Sequence, residues 1–121
     1  MSTVTDCLFC KIAAGLIPVS RLYEDEHVLA FPDLHPQAPT HILLIPKQHF
    51  GSLAHTASED AVMLGKLFAA AAVVAKQQNL DPHPRGGGYR LVVNTGADGG
   101  QTVEHLHVHL LGGRHMGWPP G

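Results

Sequence analysis

No stretch of this chain is apolar for long enough to span a bilayer: the longest run, over residues 67–75, falls well short of the roughly 20 residues a membrane helix needs. Charge of either sign is scarce, 8 Lys and Arg against 10 Asp and Glu, which leaves no broad basic field for nucleic acid or an anionic membrane. With 15% charged and 45% hydrophobic residues, disorder through charge excess is excluded as well. Cysteine occurs only twice, both times in Cys7-x-x-Cys10, a spacing that suits metal or redox chemistry before a structural bridge. The first residues lack a basic start followed by an apolar core, so no secretory signal is expected and a reducing cytoplasm is the expected setting. Repeats and low-complexity tracts are absent too. What remains is one domain over residues 1–121, large enough to withdraw roughly 65% of its unfolded surface from water.

Histidine is the residue in excess, with 10 copies, and its charge changes near neutral pH. Around it the chain reads as a mixture of strands and two helices. Thr5 or Asp6 is placed to cap a short helix over about residues 7–14, ended by Gly15 and Pro18. Residues 21–24 and 27–31 read as a hairpin, and 40–47 as a central strand covered on both faces. Ser58 caps a long helix over about 59–79 whose apolar face is Leu64, Leu67, Phe68, Ala71, Ala72 and Ala75. Strands are predicted over 89–94 and 102–111, separated by a glycine-rich loop. Without regular strand-helix alternation, the fold class is α+β with a mainly antiparallel sheet.

The last strand contains His105-Leu-His107-Val-His109-Leu-Leu111. On a strand this alternation projects all three imidazoles from one face and Leu106, Val108 and Leu110 from the other. Three such close bases are hard to reconcile with a purely structural role, because buried nitrogens need partners and neighbouring charges oppose one another. Two chemistries fit the spacing: a His-x-His metal site completed elsewhere, or a nucleophilic imidazole oriented by its neighbours. The preceding turn, Asn94-Thr-Gly-Ala-Asp-Gly-Gly-Gln-Thr102, offers free amides and short polar side chains that suit a phosphate. No carboxylate cluster for magnesium adjoins the triad, and alternation directs Glu104 to the opposite face, so metal-independent attack on phosphorus is favoured.

Together, Asp33-Leu-His-Pro-Gln-Ala-Pro-Thr-His41, Ile45-Pro-Lys-Gln-His49, Asn94, Gly99-Gly-Gln-Thr-Val103, the triad and the terminal Trp118-Pro-Pro-Gly121 resemble the histidine triad superfamily. Within it the closest likeness is to the histidine triad nucleotide-binding branch, and it extends over about residues 7–121. The resemblance implies a five-stranded sheet with one long and one short helix, continued across a homodimer that has the long helix at its contact. It also implies purine nucleoside phosphoramidase activity on adenosine or guanosine 5'-phosphoramidates through a nucleotidyl-histidine intermediate. It implies catalysis without a required cofactor, and as partners a purine nucleotide and a second copy, with neither nucleic acid nor membrane. The nucleophile falls on His107, oriented by His41 and the His105 region. His109, Asn94 and Thr102 are implied to face the phosphate and leaving group, and Asp33 the ribose. Phe9, Ile12, Phe31 and Leu34 are implied to form the base slot. Trp118, in the tail 112–121, is implied to reach the partner subunit's site.

Two positions depart from the family pattern. Thr102 stands where the small hydroxyl is usually Ser, and Glu104 where an aromatic residue is common. Cys7 and Cys10 have two readings: a structural zinc site completed by His49 and His105, as in bacterial-type members that carry the motif, or two small buried thiols. A nucleotide-binding regulatory module and a zinc hydrolase with His105, His107 and His109 as ligands are the rival functions. His27, His35, His55, His83 and His115 are expected at loops or edges and carry no assigned role.

Overall fold

The computed structural model describes residues 6–84 and 86–121; Thr5, one of the two expected caps, lies outside them. Helix α1 (Leu8–Ala13) is followed by β1 (Tyr23–Glu24), β2 (Val28–Pro32), β3 (Thr40–Pro46), α2 (Ala61–Gln77), β4 (Tyr89–Val92) and β5 (Val108–Gly112). The strands form one antiparallel five-stranded sheet in the order β1-β2-β3-β5-β4, as expected of the fold class.

Strand β3 lies at the centre of the sheet, and its apolar run is shared between two cores. Ile42 and Leu44 point toward α2 with Val28, Ala30, Val108 and Leu110, while Leu43 and Ile45 point toward α1 with Leu29 and Phe31. Period-two alternation inside a continuous apolar run is what a sheet covered on both faces requires. Each large side chain withdrawn from water here contributes roughly 1.5–3 kcal/mol. On α2 the buried stripe is Leu67, Ala70, Ala71, Val74 and Ala75, whereas Phe68 is 42% exposed and Ala72 is exposed too. The alanine-rich segment is apolar nearly all round, so its periodicity marks a helix without marking the inward side.

Three element ends differ from expectation for local reasons. The cap of α1 is Cys7, whose Sγ accepts the Cys10 N–H at 3.2 Å, and Gly15 closes the helix in the left-handed region at φ +80°. Ser58 belongs to a 3-10 turn (Ser58–Asp60) ahead of α2, which starts at Ala61. Strand β5 begins at Val108 instead of residue 102, because residues 103–105 bend and the Leu106 N–H donates to the Phe50 carbonyl at 2.7 Å. The nucleophile candidate therefore sits just outside the regular ladder.

Candidate functional site

All three triad imidazoles stand on the α1 side of the sheet, while Leu106, Val108 and Leu110 fill the α2 core. Phe9 of α1 packs edge-on to His105 and His107, with centroids 5.9 and 5.2 Å away, and His107 packs on His109 at 4.9 Å. The alternation read from sequence thus persists through the irregular segment. It fails one residue earlier. Glu104, expected on the far face, lines an open groove with Asp6, Cys7 and His49, because the bend over 103–105 interrupts the pleat.

The hydrogen bonds of each ring fix where its proton sits. His107 Nδ1 lies 2.7 Å from the His105 carbonyl oxygen, which only accepts, so Nδ1 carries the hydrogen and Nε2 keeps the lone pair. His41 Nδ1 accepts the Gln37 backbone N–H at 3.0 Å, so the proton of a neutral His41 is on Nε2. That Nε2–H donates to His109 Nδ1 at 2.9 Å, which leaves His109 with its own hydrogen on Nε2. Two neighbouring rings are thereby held in complementary states, one with a basic nitrogen and one with a donor. His41 touches His109, not His107; the partner that orients His107 is the main chain of His105.

Burial keeps His109 and His41 neutral. Burial pushes His109 down to about 4, assisted by the nearby His107 and His41 and opposed by Asp33. Burial likewise holds His41 below the ordinary histidine value against the attraction of Asp33, whose Oδ2 lies 3.4 Å from Nε2. Asp33 is also fixed by donors from the chain: its Oδ1 accepts the His35 N–H at 2.8 Å.

His107 and His109 line one end of a cleft of about 460 Å³ together with Thr102. Its lining also contains every apolar residue assigned to the base slot, Phe9, Ile12, Phe31 and the 86%-exposed Leu34, and Asp33 as well. Ile17, Pro18, Val19 and Ser20 also line it and were not anticipated, since a turn after a helix carries no periodic signal. Asn94 is not part of the cleft lining; its Nδ2 donates to the Gly99 carbonyl at 2.6 Å and closes the glycine-rich loop. Another unanticipated residue, Gln101, anchors that loop by donating to the carbonyls of Gly51 and Val103 at 2.7 and 3.0 Å. Trp118 is 83% exposed and absent from the cleft of its own chain, in a tail held to β4 by Arg90 donating to the Gly117 carbonyl at 2.7 Å.

Behind the cleft, Cys7, Cys10, His49 and His105 bring four ligand atoms to one point. Tetrahedral zinc, with bonds near ~2.0 Å to nitrogen and ~2.3 Å to sulfur, sets two nitrogens roughly 3.3 Å apart and nitrogen from sulfur roughly 3.5 Å. His105 Nδ1 lies 3.2 Å from Cys7 Sγ, 3.5 Å from Cys10 Sγ and 3.2 Å from His49 Nδ1, and Cys10 Sγ lies 3.3 Å from His49 Nδ1. His105 Nε2 donates to the Pro46 carbonyl at 2.8 Å, so Nδ1 faces the cluster as a lone pair, the form a metal ligand needs. Burial, partly offset by the Pro46 carbonyl, pushes His105 down to about 4 and keeps that lone pair available. The donor set fits a closed tetrahedral zinc site. By contrast, the three triad rings do not converge on one ion: among the described residues His105 groups with the cysteines, His109 with Asp33 and His41, and His107 with neither.

Comparison with known proteins agrees with this geometry. The HIT domain family model matches residues 14–116. The chain is similar to a 14 kDa zinc-binding protein of Zea mays, 53% identical over 94% of this chain and 87% of that one. It superposes on the crystal structure of a HIT family hydrolase from Legionella pneumophila with a TM-score of 0.90 and 47% identity, covering 96% of this chain and 100% of that one. A histidine triad nucleotide-binding protein from Candida albicans aligns with a TM-score of 0.78 and 33% identity, covering 94% and 83%.

Proposed function

The chain belongs to the HIT domain family, and from that premise we propose that it is a purine nucleoside phosphoramidase of the nucleotide-binding branch, hydrolysing adenosine or guanosine 5'-phosphoramidates. The observation that carries this reading is the 2.7 Å contact from His107 Nδ1 to the His105 carbonyl, which leaves Nε2 basic on a ring that lines the cleft. Nε2 attacks the α-phosphorus; a phosphorus–nitrogen bond to His107 forms as the bond to the amine breaks, and the amine departs with a proton from water. The ring becomes cationic, and the His105 carbonyl stabilises the charge through the Nδ1–H bond. His109 Nε2–H and the Thr102 hydroxyl donate to the phosphoryl oxygens as negative charge builds there. The hydroxide left behind then attacks phosphorus, breaks the bond to His107 Nε2 and releases the nucleoside monophosphate, with His107 neutral again. Asp33 accepts from the ribose hydroxyls, and Phe9, Ile12, Phe31 and Leu34 enclose the purine.

The remaining parts of the reading are a homodimer, a structural zinc and a cytoplasmic setting in which the two cysteines stay reduced. The dimer is supported by the exposed Val62, Phe68 and Val73 on α2; in it the exposed Trp118 would reach the partner's cleft. Zinc would be held by Cys7, Cys10, His49 and His105. When bound, it supplies a cross-link between chain segments and takes no part in the transfer.

Intact-mass analysis of protein quenched during turnover tests the proposal. A nucleotidyl adduct mapped to His107, absent from His107→Ala, is the expected result. Binding of nucleotide with no adduct and no turnover of any purine phosphoramidate would replace the enzyme by a nucleotide-binding module.

A further inference from the structure

We propose that the Cys7, Cys10, His49 and His105 cluster, when it holds its metal, positions the nucleophile His107 through the main chain of His105. The proposal rests on the reading of His107 as nucleophile and adds residues that touch neither substrate nor reacting atoms.

The acceptor that fixes the His107 tautomer is a backbone carbonyl, and that carbonyl belongs to a bend instead of a ladder, since β5 starts only at Val108. Something other than sheet pairing must hold it. The Leu106 N–H bond to Phe50 fixes one side of the peptide unit. The other side depends on the His105 side chain, 0% exposed, tied by Nε2 to the Pro46 carbonyl and by Nδ1 to the cluster. A metal there joins α1, the turn after β3 and the histidine segment at one point. Phe9, between the two cysteines, packs on the rings of both His105 and His107, so the same cross-link seats an aromatic wall against the nucleophile. Without that cross-link, the buried His105 ring is held from the chain side by its Pro46 bond and by packing alone. A displacement of about 1 Å at a reacting group costs up to about 100-fold in rate.

The test uses full-length protein loaded with zinc, the same protein stripped by chelator, and His49→Ala, which removes the partly exposed ligand and disturbs packing least. Long-range proton–nitrogen NMR of labelled histidine reads the His107 tautomer directly, and metal analysis and thermal melts verify loading and folding. In the loaded protein His107 is expected as a single Nδ1–H tautomer. In the stripped protein and in His49→Ala it averages between tautomers, and kcat falls roughly 10- to 100-fold with KM within about twofold. Zinc restores the stripped protein, and zinc with free imidazole restores His49→Ala. A folded, metal-free protein that keeps both the pure tautomer and its kcat overturns the proposal. Absence of turnover in the loaded protein defeats the phosphoramidase reading instead, and the tautomer measurement still decides this one.

Discussion

His41 and His109 stand on the adjacent strands β3 and β5 and share one hydrogen bond, 2.9 Å from Nε2 to Nδ1, whose direction is dictated by the Gln37 amide at the far end of His41. An amide proton is not transferable, so the whole relay points toward the cleft and His109 presents a donor there. His41→Phe removes the relay, and His109 then populates the tautomer whose Nε2 repels a phosphoryl oxygen. A fall of roughly 100-fold in kcat with little change in KM is expected, in line with loss of one transition-state donor. Steady-state kinetics decide the matter: a kcat within about threefold of the parent would remove His41 from the site.

Acid should weaken the fold before it protonates these rings. The unfolded chain binds protons at His109 and His41 as pH drops through the ordinary histidine range, whereas folded His109 resists until about 4 and folded His41 is lowered in the same direction. The unfolded state therefore binds more protons, and stability present above about pH 6.5 is lost progressively toward pH 4. Urea midpoints measured with chelator at pH 7 and pH 5 should be lower at pH 5; equal midpoints contradict the assignment of neutral buried rings.

Leu34 separates binding from folding. It lines the cleft yet is 86% exposed, so Leu34→Ala should alter stability by less than about 0.5 kcal/mol while weakening purine nucleotide binding several-fold. Phe31→Ala, at a side chain buried in the α1 core, should cost about 3–5 kcal/mol of stability. Calorimetric titration beside thermal melts distinguishes the two, and unchanged affinity in Leu34→Ala would empty the proposed base slot of that residue.

Asn94 and Gln101 serve the glycine-rich loop in different ways. Asn94 closes the loop on itself through Gly99, whereas Gln101 fastens the Val103 carbonyl at the entry to the histidine segment. Asn94→Ala should cost about 1 kcal/mol in stability, as for a typical hydrogen bond, and leave kcat within about threefold. Gln101→Ala should lower kcat roughly tenfold by loosening the path to His107. The reverse order of effects would return Asn94 to the phosphate.

Much of the architecture was legible because it repeats. Helical spacing located α2, the apolar run located β3, and strict alternation put three imidazoles on one face of the sheet. Where periodicity was weak the reading slipped: the alanines of α2 hid its inward face, and a bend invisible in the pattern His105-x-His107-x-His109 shortened β5 and turned Glu104 toward Cys7. The Cys-x-x-Cys motif named half of a ligand set, and its fit to zinc became visible only where Cys7 meets His105, 98 positions away, at 3.2 Å.

Residue order alone thus determined which side chains share a face, since that follows from local backbone geometry. Only the tertiary structure decided which nitrogen of each imidazole holds the proton, because that depends on partners brought together from distant segments. A carbonyl in a bend makes His107 basic at Nε2, and an amide before β3, acting through His41, makes His109 a donor.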